Sequence, residues 1–128
     1  MKNVSFALVL LVSTAAFSSE STDQIYAAFN VKEKLILSDS VTGIELFQKN
    51  MAGLDCTKLI DNKGNESTLC TVSSDFDAAS IYGALATEEE ALTAPKTDTL
   101  TRKTAGRLVC EKKDVIRKGA SFICWVSF

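Results

Sequence analysis

The chain repeats one pattern in its two halves, and this repeat constrains the fold more than any other feature of the sequence. The segment Cys56 to Ser73, CTKLIDNKGNESTLCTVS, aligns with the segment Cys110 to Ser127, CEKKDVIRKGASFICWVS. In both segments 13 residues separate the two cysteines, and Val-Ser follows one residue after the second cysteine. Further upstream, Ile25 to Lys34, IYAAFNVKEK, aligns with Ile81 to Glu90, IYGALATEEE. The pattern predicts two tandem units with the same order of secondary-structure elements.

Two polar residue types also recur between the halves. Lys49 recurs 54 positions later as Lys103, and Tyr26 recurs 56 positions later as Tyr82. A tyrosine beside an apolar helical stripe usually packs its ring and leaves its hydroxyl in water. We therefore expect a packing role for both tyrosines, with a binding role as the alternative.

Residues 1–18 have the pattern of a secretory signal peptide. Lys2 is the only charged residue, Val4 to Val12 is almost wholly apolar, and small residues such as Ala16 and Ser18 follow. The apolar run is too short to cross a bilayer, which needs about 20 residues. Since no second apolar stretch follows, we expect an exported protein, periplasmic or extracellular, without a transmembrane segment in the mature chain.

The rest of the chain is expected to divide into repeat 1, residues 19–74, and repeat 2, residues 75–128. A unit of about 54 residues buries too little apolar surface to be stable alone without disulfides or a shared core. We therefore expect the two repeats to form one domain.

The four cysteines are predicted to form two disulfide bonds, one in each repeat. An even number of cysteines in an exported chain is typical of a disulfide framework, and four cysteines allow three pairings. Because a duplicated unit should carry its own bond, the repeat favours Cys56–Cys70 and Cys110–Cys124. A glycine near the middle of each hairpin supports this pairing, since a turn there would place the two cysteines opposite each other. A zinc or redox site is disfavoured, because the chain has no histidine and no Cys-x-x-Cys.

We predict an α+β fold in which one helix and about three antiparallel strands form each repeat. The first helix is expected to begin at Ser21, because Ser21-x-x-Gln24 has the spacing of a capping box. The second is expected to begin after Asp77, an acceptable N-cap residue. The charged or polar segments 32–43 and 87–98 are expected to link each helix to its strands.

The largest difference between the repeats lies on one face of the second Cys hairpin. Period-two alternation predicts a core face made of Leu108, Cys110, Phe122, Cys124, Val126 and Phe128. The opposite face carries Val109, Ile123 and Trp125, where repeat 1 has Asp55, Leu69 and Thr71. Either this face packs against repeat 1 or a helix, or it forms an exposed patch that binds a partner, as tryptophan often does.

Charge is distributed unevenly in repeat 2. Residues 96–118 carry eight basic and three acidic residues, whereas residues 75–90 carry five acidic residues and no basic ones. Such a basic run usually forms a solvated face, and the alternative is a surface that docks an acidic partner. The candidate partner-binding residues are therefore the apolar face and the basic residues expected beside it. They are Val109, Ile123, Trp125, Arg102, Lys103, Arg107, Lys113 and Arg117.

Composition argues against several functional classes. Without Lys2 the chain has 13 basic and 16 acidic residues, a balance unlike the basic surface of nucleic-acid-binding proteins. Histidine, the most common general base, is absent, and paired cysteines would leave no thiol nucleophile. We therefore expect no catalytic residues, no cofactor and no metal site. An enzyme that relies on carboxylates is the remaining catalytic alternative.

These features favour a small, disulfide-stabilised module that binds an unidentified protein. The layout resembles that of secreted enzyme inhibitors built from tandem helix-plus-sheet repeats, which implies enzyme inhibition as one form of this binding. The alternative is an envelope-associated structural protein, since the final segment, Phe122 to Phe128, ends in alternating apolar residues. Such an ending is similar to that of outer-membrane proteins.

Overall fold

The structure is a computed structural model that describes residues 19–127. The predicted signal peptide, residues 1–18, and Phe128 lie outside the described residues. The described part contains two helices and eight strands. In chain order these are α1 (Ser19–Ala28), β1 (Lys34–Asp39), β2 (Ile44–Met51), β3 (Leu54–Ile60), β4 (Glu66–Val72), α2 (Ala78–Ala84), β5 (Glu90–Leu92), β6 (Asp98–Ala105), β7 (Leu108–Val115) and β8 (Gly119–Val126).

The strands form two antiparallel sheets of four strands each, so the α+β class is confirmed. Sheet 1 has the order β1-β2-β3-β4 and sheet 2 has the order β5-β6-β7-β8. Strands that are neighbours in the chain are neighbours in the sheet, as short turns between antiparallel strands allow. Each unit runs from one helix into one sheet, an order that fits the predicted tandem repeat. Descent of the two units from one duplicated sequence stays a prediction.

Each sheet has one strand more than we predicted. β1 lies in the segment 32–43 and β5 lies in the segment 87–98, both of which we expected to be links. Both strands are at a sheet edge and pair on one side, β1 with β2 and β5 with β6. Because the side chains of β1 are mostly exposed, its sequence lacks the alternation of apolar and polar residues that marks a half-buried strand.

The two Cys hairpins have the register predicted from their turns. Cys56 pairs with Cys70 across β3 and β4, and Cys110 pairs with Cys124 across β7 and β8. The Cα atoms of the two pairs lie 4.0 and 4.1 Å apart, and each pair forms a disulfide bond, which confirms the predicted pairing. Gly64 in the first hairpin has a left-handed φ of 83°, a conformation that favours glycine.

One of the two predicted helix starts is correct. Asp77 is the N-cap of α2, and its carboxylate accepts a hydrogen bond from the Ala79 amide at 3.2 Å. Ser21, in contrast, lies inside α1, which already includes Ser19. The Ser21 hydroxyl accepts a hydrogen bond from the Arg107 amide at 2.8 Å, so this serine links α1 to sheet 2.

The C-terminal ends of the two helices join the units. Phe29, which follows α1, and Leu85, which follows α2, form an isolated antiparallel bridge. The flanking backbone hydrogen bonds, each 2.7 Å long, run from Asn30 to Ala84 and from Ala86 to Ala28. Phe29 and Leu85 are 0% and 1% exposed, and the buried core that contains them includes residues of both sheets.

The turns of the sheets add further contacts between elements of the two units. The Asp77 amide, just before α2, donates to the Ala52 carbonyl in the β2–β3 turn at 2.9 Å. In the other unit the β6–β7 turn contacts α1 through the hydrogen bond from Arg107 to Ser21. A chain cut near residue 74 would therefore lose the hydrogen bonds of both turns together with the bridge between the helices.

Candidate functional site

Sheet 2 packs one face against α2. The centroids of the Tyr82 and Phe122 rings lie 5.5 Å apart, and Cys124 Sγ lies 4.0 Å from the Ala78 carbonyl oxygen. Cys110, directly opposite Cys124, is 0% exposed. The face that we predicted as the core face is therefore the one that contacts α2.

The opposite face of sheet 2 carries the residues in which the repeats differ most. Its residues alternate along the strands with those that face α2. We call it the Trp125 face, and its members are Arg102, Val109, Glu111, Lys113, Ile123 and Trp125. Ile123 is 59% exposed and Trp125 is 39% exposed, whereas Val109, which pairs directly with Trp125, is 8% exposed. Val109 is thus buried, whereas Ile123 and Trp125 form an exposed apolar patch.

Arg102 lies beside this patch in a fixed position. Its guanidinium carbon lies 6.0 Å from the centroid of the Trp125 ring, within the range of a cation–π interaction. Its Nε and Nη2 atoms donate to Glu111 Oε2 at 3.0 and 2.5 Å. Cross-strand pairing explains this contact, because Glu111 in β7 lies directly opposite Arg102 in β6. On its other side, Glu111 lies opposite Ile123 in β8. The guanidinium is therefore oriented before any partner arrives.

Two of the other predicted basic residues lie near the Trp125 face. Lys113 belongs to the face, and its Nζ lies 3.6 Å from Asp98 Oδ2. Arg107 lies in the β6–β7 turn, and its carbonyl accepts a hydrogen bond from the Ser127 amide at 2.7 Å. Since Ser127 is two residues after Trp125, the Arg107 backbone lies beside the end of β8 that carries the tryptophan.

The remaining two basic residues are not beside Trp125. Arg117 lies in the β7–β8 turn, where Val115 pairs with Gly119 at the opposite end of β8 from the tryptophan. Trp125 lies six positions after Gly119 in β8, which separates the two sites by about 20 Å at roughly 3.4 Å per strand residue. Lys103 follows Arg102 directly in β6, so its side chain lies on the face that contacts α2. Our expectation that all five basic residues surround Trp125 is therefore not met.

The Trp125 face is not strongly basic. By strand register, Arg102 and Lys113 share this side of the sheet with three acidic residues, Glu90, Asp98 and Glu111. The arrangement follows from cross-strand pairing, which favours opposite charges as direct neighbours. The basic excess of residues 96–118 is consequently divided between two faces and three turns rather than gathered into one docking surface.

A cluster of charged side chains that we did not predict lies at the C-terminal end of α1. We call it the Lys49 cluster, which consists of Tyr26, Glu33, Lys49 and Lys58. Lys49 Nζ donates to the Tyr26 carbonyl at 2.9 Å and lies 4.6 Å from the centroid of the Tyr26 ring. Lys58 Nζ lies 4.9 Å from the same centroid and 3.7 Å from Glu33 Oε2. The Tyr26 hydroxyl donates to Glu33 at 2.5 Å, so it is not free in water as we expected.

An equivalent cluster, the Lys103 cluster, lies at the end of α2 and consists of Tyr82, Glu89, Thr101 and Lys103. Lys103 Nζ donates to the carbonyls of Tyr82 and Leu85 at 2.9 and 3.0 Å, and lies 4.7 Å from the centroid of the Tyr82 ring. The Tyr82 hydroxyl donates to Glu89 at 2.6 Å, and 2.7 Å separate it from the Thr101 hydroxyl.

Both clusters have the geometry of helix caps. Burial, reinforced by the hydrogen bond to Glu33, raises the pKa of Tyr26 above its ordinary range, and burial together with Glu89 raises the pKa of Tyr82. Burial also lowers the pKa of Lys49. A lysine amine at a helix C-terminus donates hydrogen bonds to the free carbonyls, and its positive charge interacts favourably with the helix dipole. Both contributions are structural. The recurrence of Lys49 as Lys103 and of Glu33 as Glu89 is the sequence signal that points to these clusters.

In residues 19–127 the structure shows neither of two features unrelated to the Trp125 face, a metal-binding group and a membrane-spanning helix. Within these residues, no three or more His, Cys, Asp or Glu side chains are grouped so that they would hold a metal ion. In the same part of the chain, no helix has both the length and the apolar character needed to cross a membrane. The exposed Ile123 and Trp125 beside the oriented Arg102 guanidinium make the Trp125 face the candidate functional site.

Comparisons with known proteins do not assign the chain to a family. No protein family, curated protein or solved structure matches it. The two disulfide bonds are consistent with a small periplasmic or extracellular module. A more specific function has to be inferred from the geometry of the Trp125 face.

Proposed function

We propose that this protein is an exported binding module that contacts another protein through the Trp125 face. The observation that carries the proposal is the exposed pair of Ile123 and Trp125 beside the Arg102 guanidinium, which Glu111 holds in place. Tryptophan and arginine are the residue types that most often dominate the binding energy of protein interfaces. The proposed activity is binding, and no chemical reaction is assigned to this face.

The charges around the face suggest the chemistry of the partner. Glu111 neutralises Arg102, and Asp98 neutralises Lys113. The three ion pairs among the described residues do not include Arg107, which is next to the tryptophan end of β8. An apolar patch beside a positive charge that has no ion-pair partner among the described residues fits a protein surface that presents an apolar side chain next to a carboxylate.

The rigidity of the hairpin also supports binding. The disulfide between Cys110 and Cys124 joins β7 to β8, the strand that presents Ile123 and Trp125. Residues that are already ordered lose less conformational entropy when a partner binds, so more of the contact energy contributes to affinity. The disulfide therefore favours a permanent binding surface over one that forms only on contact.

Inhibition of an enzyme is one form of this proposed function. Protease–inhibitor interfaces are typically of standard size and close complementarity, and they are formed by surfaces that change little on binding. A rigid hairpin with an exposed tryptophan suits such a surface. Export to the periplasm or the extracellular space is part of the proposal, and the two disulfides support it.

The proposal can be tested by capture of partners from the extracellular or envelope fraction of the source organism. The chain from residue 19 onwards would be immobilised as wild type, Trp125→Ala and the matched control Ile116→Ala. Ile116 is 64% exposed and lies in the β7–β8 turn, far from the tryptophan. We expect wild type and Ile116→Ala to retain the same protein, and Trp125→Ala to lose it.

A retained protein would then be purified and titrated by calorimetry. Loss of a central tryptophan typically costs about 2 kcal/mol or more, so Trp125→Ala should weaken the Kd at least about 30-fold. Arg107→Glu should weaken it as well, chiefly through a slower association rate. All variants must melt at the wild-type temperature. Equal affinity of wild type and Trp125→Ala, or the absence of a stoichiometric partner, would contradict the proposal.

A further inference from the structure

β1 forms an exposed apolar edge of sheet 1. Leu35, Ile36 and Leu37 are 56%, 53% and 45% exposed, although all three are large aliphatic residues. Among residues 19–127, β1 pairs with β2 and with no other strand, so the backbone groups on its outer side have no strand partner. An exposed, apolar edge strand of this kind is a template for pairing with another strand.

Sheet 2 has no comparable edge at the equivalent position. β5 has three residues, Glu90–Leu92, whereas β1 has six residues, Lys34–Asp39. A very short edge strand is one of the means by which proteins prevent unwanted pairing. The long apolar edge is therefore a specific feature of the first unit and not a requirement of the fold.

We propose that β1 is a dimerisation edge, at which two copies of this chain pair in antiparallel orientation. A twofold axis between Ile36 and Leu37 would place Lys34 of each copy opposite Asp39 of the other. The remaining pairs would be Leu35 with Ser38 and Ile36 with Leu37. Because the strand has opposite charges at its two ends, it is complementary to itself in this orientation. This complementarity identifies a second copy as the occupant of the edge.

An irregularity in β1 makes this charge pairing geometrically possible. Lys34 and Asp39 are five positions apart, and in a regular strand they would lie on opposite faces of the sheet. The register shifts within β1, so that Lys34 pairs with Gln48 of β2 and Asp39 pairs with Ile44. Gln48 and Ile44 are four positions apart, so their partners in β1 share one face. Lys34 and Asp39 of two paired copies would therefore meet on the same side of the joined sheet.

Pairing at this edge would extend sheet 1 into one sheet of eight strands shared by two copies. Such an arrangement is isologous, since the same residues of both copies form the contact, and it closes after two copies. It would satisfy the outer backbone groups of β1 and cover part of its exposed aliphatic side chains. The Trp125 face, which belongs to the other sheet, takes no part in this contact.

Charge reversal provides a direct test by sedimentation equilibrium of the chain from residue 19 onwards. We expect the wild type to dimerise. In a Lys34→Asp dimer, the new aspartate of each copy would lie opposite Asp39 of the other copy. In an Asp39→Lys dimer, the new lysine of each copy would lie opposite Lys34 of the other copy. Because the twofold axis doubles each change, either variant should weaken the dimer at least about tenfold. An equimolar mixture of the two variants should form a heterodimer, in which every pair is again of opposite charge.

Two further variants separate the effect on pairing from an effect on folding. Lys118→Asp makes the same charge change in the exposed β7–β8 turn and should leave the dimer intact. Asp39 also accepts a hydrogen bond from the Val41 amide at 2.9 Å, so its replacement can loosen the adjacent turn. Ile36→Lys does not touch that turn, and we expect it to give a monomer with the wild-type melting temperature.

A monomeric wild type at all accessible concentrations would overturn the proposal. So would a dimer that neither Lys34→Asp nor Ile36→Lys weakens, because another surface would then form the contact. A mixture of two folded charge variants that yields no heterodimer would overturn the antiparallel register.

Discussion

Phe29 and Leu85 pair with each other across the two units, each at the position where its helix ends. Both side chains are buried, and the bridge between them ties the two sheets into one core. This relationship makes the stability of each unit depend on the other.

Replacement of Phe29 should destabilise the whole chain. Phe29→Ala removes a fully buried ring and should lower the free energy of unfolding by about 3 to 5 kcal/mol. The control Val41→Ala truncates a side chain that is 92% exposed and should change the free energy of unfolding by less than about 0.5 kcal/mol. Urea unfolding measures both values. A Phe29→Ala protein that loses only one of the two units in a separate transition would contradict the shared core.

The two disulfides should contribute equally to stability. Both close loops with a sequence separation of 14, so the chain-entropy model gives each about 3 kcal/mol. The double variants Cys56→Ser/Cys70→Ser and Cys110→Ser/Cys124→Ser should therefore melt at similar, lower temperatures. Calorimetry of both proteins checks this expectation. An unchanged melting temperature in either would show that its bond adds nothing to stability.

Lys103 should stabilise its helix more than Lys49 does. Lys103 Nζ donates to two carbonyls at the end of α2, those of Tyr82 and the C-cap Leu85, whereas a single carbonyl accepts from Lys49 Nζ. Lys103→Met should cost about 1 to 2 kcal/mol of unfolding free energy, and Lys49→Met should cost less. Lys118→Met, in an exposed turn, is the control and should cost almost nothing. The reverse order of the two losses in chemical denaturation would refute the capping role.

Gly53 should tolerate alanine far less than Gly64 does. Both have a left-handed φ, 85° and 83°, so both variants carry the same backbone strain of about 1 to 2 kcal/mol. A Cβ atom at Gly53 would lie 2.3 Å from the Phe76 backbone nitrogen, whereas a Cβ atom at Gly64 would have no neighbour within 4 Å. Gly53→Ala must therefore displace the segment before α2. Equal melting temperatures of the two variants would show that this segment moves freely.

The free energy of unfolding should fall at acid pH, partly because Glu89 becomes protonated. The hydrogen bond from Tyr82, supported by the charges of Lys103 and Lys112, lowers the pKa of Glu89 below its ordinary 4.5. A carboxylate whose pKa is lowered in the folded state stabilises the protein at pH values above its pKa in the unfolded chain. This stabilisation is lost as the pH falls through the lower pKa of the folded state. Wild type should thus lose stability below about pH 4.5.

Tyr82→Phe tests the origin of this acid sensitivity. It removes the hydrogen bond to Glu89, so the loss of unfolding free energy between about pH 5 and pH 3 should be smaller than in the wild type. Part of the loss should remain, because backbone amides in turns lower the pKa of Asp39 and of Asp61. Urea unfolding at several pH values measures how steeply the free energy of unfolding changes with pH in each protein. Identical slopes in the two proteins would contradict the assignment to Glu89.

The sequence specified the local geometry of the Cys hairpins. The spacing of Cys56 and Cys70, together with the turn at Gly64, predicts the register that the structure shows, since turn type and side-chain alternation are properties of neighbouring residues. The same holds for the N-cap at Asp77. The strand β1 was missed, because an exposed edge strand has no alternation to mark it.

Tertiary structure decided which side chains are available for function. From the sequence, Lys103 and Arg102 belong to one basic run, yet strand alternation and the end of α2 place them on opposite faces of sheet 2. Val109 and Trp125 belong to one apolar set, yet one is buried and the other is exposed. Local periodicity determines the face of a strand on which a residue lies, whereas burial depends on what packs against that face, and that partner comes from distant parts of the chain.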